Sequence, residues 1–202
     1  MTNSDLYIEQ HKKRLSYMPW LYDRLKPHQV QWARQWQNEL QRRLVELESV
    51  QIGQNVFIAP EANLFAEPGR DIIIGNGVRI AADCVLHGPI TLGENVSVNH
   101  HVTMDGGRAG IVIGSNTRIA AYATLYAFNH GLDADQLIRE QSVSSRGIRI
   151  GDDVWIGAQA GIVDGAIVGD GAVVGMNAVV TREVPPGAVV AGNPASVIGR
   201  RR

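Results

Sequence analysis

The sequence predicts an all-β chain of about six triangular coils of short parallel strands, with an N-terminal α-helical segment capping one end. Three observations predict it. An aliphatic residue recurs every six positions, a glycine marks the same place in every third hexad, and residues 28–48 carry a helical stripe instead.

The beat is plainest from Ile150, where the chain reads IGDDVW IGAQAG IVDGAI VGDGAV VGMNAV VTREVP. Ile150, Ile156, Ile162, Val168, Val174 and Val180 keep it, and four places after each stands a small or β-branched residue, from Val154 and Ala160 to Val184. Neither the helical period of about 3.6 nor a two-residue alternation calls for a repeat of six. Earlier triplets follow the same beat: Ile52, Ile58, Leu64; Ile74, Ile80, Leu86; Leu92, Val98, Met104; Ile113, Ile119, Leu125. The total is eighteen hexads. Each reads as a short strand and a turn. In Val154-Trp155-Ile156 the outer two residues share one side of the strand and Trp155 faces the other. Three hexads close a triangle, and six coils stacked at ~4.8 Å give a prism roughly 29 Å tall.

The first hexad of every triplet has Gly in its second place: Gly53, Gly75, Gly93, Gly114, Gly151 and Gly169. Two places later stand Asn55, Gly77, Asn95, Asn116, Asp153 and Gly171, the types that best tolerate left-handed turns. One corner is therefore a ladder of matching tight turns. The beat slips three times: Leu64 to Ile74 is ten residues, Met104 to Ile113 nine, and Leu125 to Ile150 twenty-five. These slips leave insertions of four, three and nineteen residues, all after the third hexad of a triplet and so at one corner. Loops on a rigid scaffold commonly carry function.

Ahead of the coils, Trp32, Trp36, Leu40, Leu44 and Leu47 form an amphipathic stripe, with Pro27 suited to the first helical turn. Such a helix would cover the open end of the first coil, which is otherwise an unpaired sheet edge. The expected organisation is an N-terminal helical segment over 1–48 and coils over 49–184 with an inserted loop at 127–148. A tail over 185–202 covers the last coil.

Composition narrows the class. In 202 residues, 45% are hydrophobic and 19% charged, enough to build a core. A net charge of −1 argues against nucleic-acid binding, and the one cysteine, Cys84, excludes an intrachain disulfide framework and a multi-Cys zinc site. The chain has no apolar run near ~18 residues and its start lacks a signal-peptide core, so no membrane span and a cytoplasmic location are expected.

Taken together, the hexads, the segment NHGLDAD, the block IGDDVWIGA and the ending VVTREVPPGAVVAGNPASVIG resemble the hexapeptide-repeat acyltransferases. The branch is that of the maltose, galactoside and capsular-sugar O-acetyltransferases. The resemblance covers about residues 50–199. It implies a left-handed parallel β-helix, the handedness coming from the resemblance alone. It further implies a homotrimer that moves an acetyl group from acetyl-CoA to a small hydroxylated acceptor, such as a sugar or glycan precursor, at sites between subunits.

Acyl transfer to a hydroxyl needs a base for its proton and donors for the developing oxyanion. His130, at the root of the long insertion, matches the family's catalytic His and is the expected general base. Asp133, Asp135 and Glu140, in the same loop, are candidates to orient its ring. Cys84 occupies an inward place and gives no reason to invoke an acyl-enzyme. His101 is a second catalytic candidate. An Asn commonly fills the matching place in the galactoside branch, whereas this chain reads HHVTMDG with Asn99 two residues before His101. His101 and His130 follow different hexads of their triplets, so one site that uses both must combine adjacent subunits. His100 and His87 read as structural or exposed.

Asn99, Trp155 and Asp133 are the expected acceptor-binding residues. An outward Trp155 usually has a partner, either a ligand or another subunit. Residues matching the family's CoA contacts are Ala120, Trp155, Ala158, Met176, Thr181 and Arg182. Met176 stands where a small residue is usual and Arg182 where Lys is common. Arg200, Arg201 and Arg202 form a basic tail that could meet a phosphate. No metal is expected. The alternatives are amine acetylation on the same scaffold, a non-catalytic assembly subunit, or a carbonic-anhydrase-like zinc enzyme. The last needs three His ligands, yet His101 and His130 lie 29 residues apart and no His follows.

Overall fold

The structure, a computed structural model, describes residues 3–201, so Arg202 lies outside the described residues. The coils form a β-solenoid of three parallel sheets. The first side stacks Val50–Ile52, Ile72–Ile74, Ile90–Leu92, Ile111–Ile113, Ile148–Ile150 and Ile167–Val168. The second stacks Phe57–Ile58, Arg79–Ile80, Ser97–Val98, Arg118–Ile119, Trp155–Ile156 and Val173–Val174. The third stacks Asn63–Phe65, Val85–His87, Thr103–Asp105, Thr124–Tyr126, Gly161–Val163 and Val179–Val180. Hexad residues meet hexad residues: Ile74 pairs with Leu92, Ile119 with Ile156, and Leu125 with Ile162. All eighteen point into the core and are buried except Ile52, which is partly buried against it.

The first-to-second corner is the expected glycine ladder. Asn55, Gly77, Asn95, Asn116, Asp153 and Gly171 all have positive φ, between 53° and 69°. Close stacking explains the preceding glycines, because a Cβ on Gly75 would lie 2.7 Å from the Gly93 carbonyl carbon. The second-to-third corner holds another left-handed column that composition did not announce: Asp83, His101, Tyr122, Gln159 and Asn177. The insertions all leave from the third-to-first corner.

Helix α1 (Asn3–Tyr17), a 3-10 turn (Pro19–Arg24) and helix α2 (Pro27–Leu47) precede the coils. Helix α2 lies across the exposed edge of the first coil. Gln37 answers both groups of Ile58 that no further coil can meet, since its Oε1 accepts the Ile58 N–H at 2.9 Å and its Nε2 donates to the Ile58 carbonyl at 3.0 Å. Gln41 Nε2 donates to the Val56 carbonyl at 2.8 Å, and Leu40 and Leu44 pack on the core. The buried stripe of the helix is thus Gln29, Ala33 and Gln37, one place round from the expected Trp32 and Trp36, and Leu47 is 70% exposed. An edge strand needs donors and acceptors, which indole rings cannot supply in pairs. The tryptophans flank instead, joining Leu15 and Tyr22 over Phe57 on the outside of the second sheet. There Arg79, 4% exposed, donates to Asp23 and to the Asn55 carbonyl beneath Tyr22. The N-terminal segment therefore straps one side of the prism as well as covering its end.

At the other end Val184 bridges to Val168, Ala188–Ala191 pairs in parallel with the second sheet, and Ser196–Arg200 folds back antiparallel. No described helix is long and apolar enough to cross a membrane. Replacing Gln37 by Leu strands the Ile58 N–H and carbonyl in a buried place, and is expected to lower unfolding stability by about 1–3 kcal/mol in urea denaturation. An unchanged midpoint would show that the edge needs no amide.

Candidate functional site

The three insertions, 66–71, 106–110 and 127–147, converge on one corner and are stitched together there. Ser145 Oγ donates to the Ala127 carbonyl at 2.6 Å and accepts the Arg108 and Ala109 N–H groups at 3.0 and 2.9 Å. Arg70 donates to the Gly88 carbonyl from Nε and Nη2, at 3.0 and 2.7 Å. Between them lies a cavity of about 410 Å³ lined by Arg70, His87, Asp105, Arg108, Phe128 and Ser145, among others.

Two of these are direct strand partners, one coil apart: His87 pairs with Asp105, and His87 Nδ1 lies 3.3 Å from Asp105 Oδ2. Asp105 is itself held, for its Oδ1 accepts the Gly107 N–H at 2.9 Å and lies 3.8 Å from Arg70 Nη2. A carboxylate on Nδ1 fixes the imidazole's tautomer and leaves Nε2 for another group. His87 is thus part of a polar cavity wall, whereas sequence reasoning took it as structural or exposed. The overlooked signal was its position, one residue past Leu86 just as Asp105 is one past Met104.

His130 lies beside this cavity. Asn129–His130 forms a short antiparallel pair with Val143–Ser144, with His130 opposite Val143. Its ring centroid lies 5.9 Å from Phe128, and both Phe128 and Val143 line the cavity. The loop is braced by Gln141, whose Oε1 accepts the Asp133 N–H and whose Nε2 donates to the Asp133 and Gln136 carbonyls. Asp133 Oδ1 accepts the Asp135 N–H at 3.0 Å and Glu140 lies 3.7 Å from Arg139. Among the described residues, no carboxylate is bonded to the His130 ring.

His101 stands at the second-to-third corner. Its ring stacks on Tyr122 at 4.7 Å and 13°, and its Nε2 lies 3.6 Å from Asp83 Oδ2, which accepts the Tyr17 hydroxyl at 2.8 Å. Burial first, and the neighbouring His101 next, push the His100 imidazole below the usual histidine range. Asn99 turns its Oδ1 back onto the His100 N–H at 2.9 Å. Ala120, Ala158 and Met176 share this corner, the alanines half-buried and Met176 67% exposed. Trp155 projects from the second side, 54% exposed, between Arg118 and Val173. Thr181 and Arg182 follow the third side and line a second cavity of about 350 Å³ beside the tail. Arg200 donates to the Pro186 carbonyl at 3.1 Å, and Arg201 pairs with Asp153 at 2.7 Å.

Apart from Trp155 on the second side and Arg200 in the tail, the expected residues fall into two groups within one chain. Asn99, His101, Ala120, Ala158 and Met176 sit at the second-to-third corner, and His130, Asp133, Thr181 and Arg182 follow the third side. The third sheet separates them. Cys84 is fully buried, donates its Sγ–H to the Asn99 carbonyl, and has its thiol pushed up to about 12 by burial. Iodoacetamide at pH 8 is expected to leave Cys84 intact until the chain is unfolded. Rapid labelling of the native protein would contradict that burial.

A family profile described as "Hexapeptide repeat of succinyl-transferase" matches residues 147–182. Galactoside O-acetyltransferase of Escherichia coli is 35% identical over 109 residues, 54% of this chain and 53% of that protein. A putative acetyltransferase of Dictyostelium discoideum is 33% identical over 168 residues, 82% of this chain and 80% of its own length. The chain thus spans about half the length of the first and most of the second. Among solved structures, the Bacillus cereus N-acyltransferase AntD, in complex with dTDP and 3-hydroxybutyryl-CoA, superposes with a TM-score of 0.73 at 26% identity. That likeness covers 80% of this chain and 88% of the other.

Proposed function

The chain belongs to the hexapeptide-repeat acetyltransferases, and on that footing we propose that it moves an acetyl group from acetyl-CoA to a hydroxyl of a sugar, glycan precursor or other small acceptor, with His130 as general base. The observation that carries this reading is the place of His130, on a braced loop strand next to Phe128 and Val143 of a cavity whose wall also holds His87, Asp105 and Arg70. His87, Asp105 and Arg70 offer that cavity both donors and acceptors, which suits a molecule bearing several hydroxyls.

Neutral imidazole takes the hydroxyl proton as the oxygen attacks the thioester carbon. The tetrahedral oxyanion then collapses, the carbon–sulfur bond breaks, and the departing thiolate recovers the proton from the imidazolium. No acyl-enzyme is needed, and the raised, buried Cys84 thiol is no nucleophile. For the donor, the small half-buried side chains of Ala120 and Ala158 leave room along the second-to-third corner for an extended pantetheine arm. Met176 stands exposed at that corner and Trp155 on the second side before it, while Thr181, Arg182 and Arg200 are exposed elsewhere, the two arginines as cations suited to phosphates.

Ala120, Ala158 and Met176 lie a prism face from His130, which supports a site shared by adjacent copies in a homotrimer. An exposed Trp155 agrees with a partner on that face. Acetyl-CoA as the donor fits a cytoplasmic enzyme. The likeness to an N-acyltransferase favours a second reading, an amine acceptor, for which the same base would serve.

A screen of sugars and amines for CoA thiol release tests the reading. With the best acceptor, His130→Ala is expected to lower turnover by ~100-fold or more while fold and assembly persist. Near-normal turnover in that variant would contradict it. Hydroxylamine cleaves an ester product but spares an amide, which separates the two acceptor classes. Trp155→Ala is expected to raise KM for acetyl-CoA or the acceptor severalfold, and unchanged constants would remove Trp155 from the site.

A further inference from the structure

Asp164 is a buried carboxylate that no step above uses. It follows the third side of the fifth coil, directly beneath the long loop, and its side chain is fully buried. Its contacts reach both ends of that loop. At the returning end, Oδ1 accepts the N–H groups of Arg146 and Gly147 at 2.7 and 2.8 Å. Oδ2 lies 3.6 Å from Arg146 Nε, and the Asp164 carbonyl accepts Arg146 Nη2 at 3.1 Å. At the outgoing end, Asn129 Nδ2 donates to Oδ2 at 3.4 Å. The next backbone group continues the seam, the Gly165 N–H donating to the Gly147 carbonyl at 2.8 Å.

We infer that Asp164 is a positioning residue: its carboxylate clamps Asn129 to the returning strand and thereby fixes His130, the next residue, against the corner cavity. The inference rests on the proposal that His130 is the base. An imidazole whose ring is bonded to no carboxylate among the described residues has several ring positions open to it, and a shift of about 1 Å in a reacting group can cost ~100-fold in rate. Gln141 braces the outer part of the loop, and Asp164 ties both of its ends to the coil below. Burying a carboxylate is costly unless each oxygen is met, and here all its partners belong to the two loop ends.

Geometry makes the clamp separable from simple stability. In Asn129→Asp the Asp164 carboxylate still accepts the Arg146 and Gly147 N–H groups, but two carboxylates now face each other, acceptor against acceptor, and turning either one over does not help. The outgoing arm is lost and the returning arm is kept. Adding Asp164→Asn restores a donor–acceptor pair in reverse order. Turnover is read as thiol release from acetyl-CoA with the best acceptor of the screen. Asn129→Asp is expected to lower kcat ~10- to 100-fold with KM for acetyl-CoA within about twofold, and the double swap to recover most of the loss. Backbone hydrogen exchange over residues 127–131 is expected to quicken in the single variant and slow again in the swap.

Asn129→Ala, at an exposed side chain, carries the same test if Asn129→Asp fails to fold, and is expected to show the same fall in kcat. Full activity in Asn129→Ala, or a double swap no better than the single variant, would overturn the clamp while an inactive His130→Ala still upheld the base. An active His130→Ala would instead remove the reading on which the clamp rests.

Discussion

Each circuit of this chain must end directly above its start, one strand spacing higher, and everything else follows from that closure. Three short strands cannot turn three corners in about eighteen residues unless some corner residues adopt left-handed backbone. Two corners do so in every coil or nearly every coil, with φ between 53° and 69°. At the first of them the coils stack so closely that a Cβ on Gly114 would lie 2.5 Å from the Gly151 carbonyl carbon. That contact locks the vertical register. A locked register decides which residue of each hexad fills the core and which side chains meet outside, so the His87–Asp105 pair is as much a product of the glycine corner as the buried aliphatics are.

The same constraint allots the corners their tasks. Corners closed by left-handed turns and coil-to-coil hydrogen bonds have no room for extra residues; only the third admits insertions, and all three insertions are there. They fold against one another rather than into solvent, and the cavity lies between them. The second-to-third corner carries no insertion, and the end of helix α1 meets it at Ala82, Asp83 and His100. Its left-handed His101 and Tyr122 are costly residues for such a conformation, by about 1–3 kcal/mol each, and strain of that kind tends to gather where function is built. Within one chain the third sheet keeps His101 and His130 at different corners.

Much of this was legible from residue order. Periodicity reveals the core because every inward place is filled by an aliphatic side chain, and the Gly and Asn ladder reveals one corner because those residue types are needed there. Other features were hidden for physical reasons. The corner at His101 and Tyr122 mixes Asp83 and Asn177 with His, Tyr and Gln, so no ladder of turn-forming types announces it. Helix α2 follows hydrogen-bonding need over hydrophobicity, so Gln37 is buried while Leu47 is exposed. Arg79 looks like an ordinary outward charge until the 3-10 turn covers it. The pairing of His87 with Asp105 needed only the eighteen-residue step between them, since one coil places them side by side.

A shared site has one direct test, complementation between two disabled chains. His130→Ala removes the base, and Ala158→Trp blocks the corner proposed for the pantetheine arm. If adjacent copies in a threefold ring build each site, mixing the two inactive proteins after dissociation restores about a quarter of the native sites by chance. Activity returning to that level is the expected result. Mixed assemblies as inactive as their parents would place both halves in one chain and contradict the division of labour between corners.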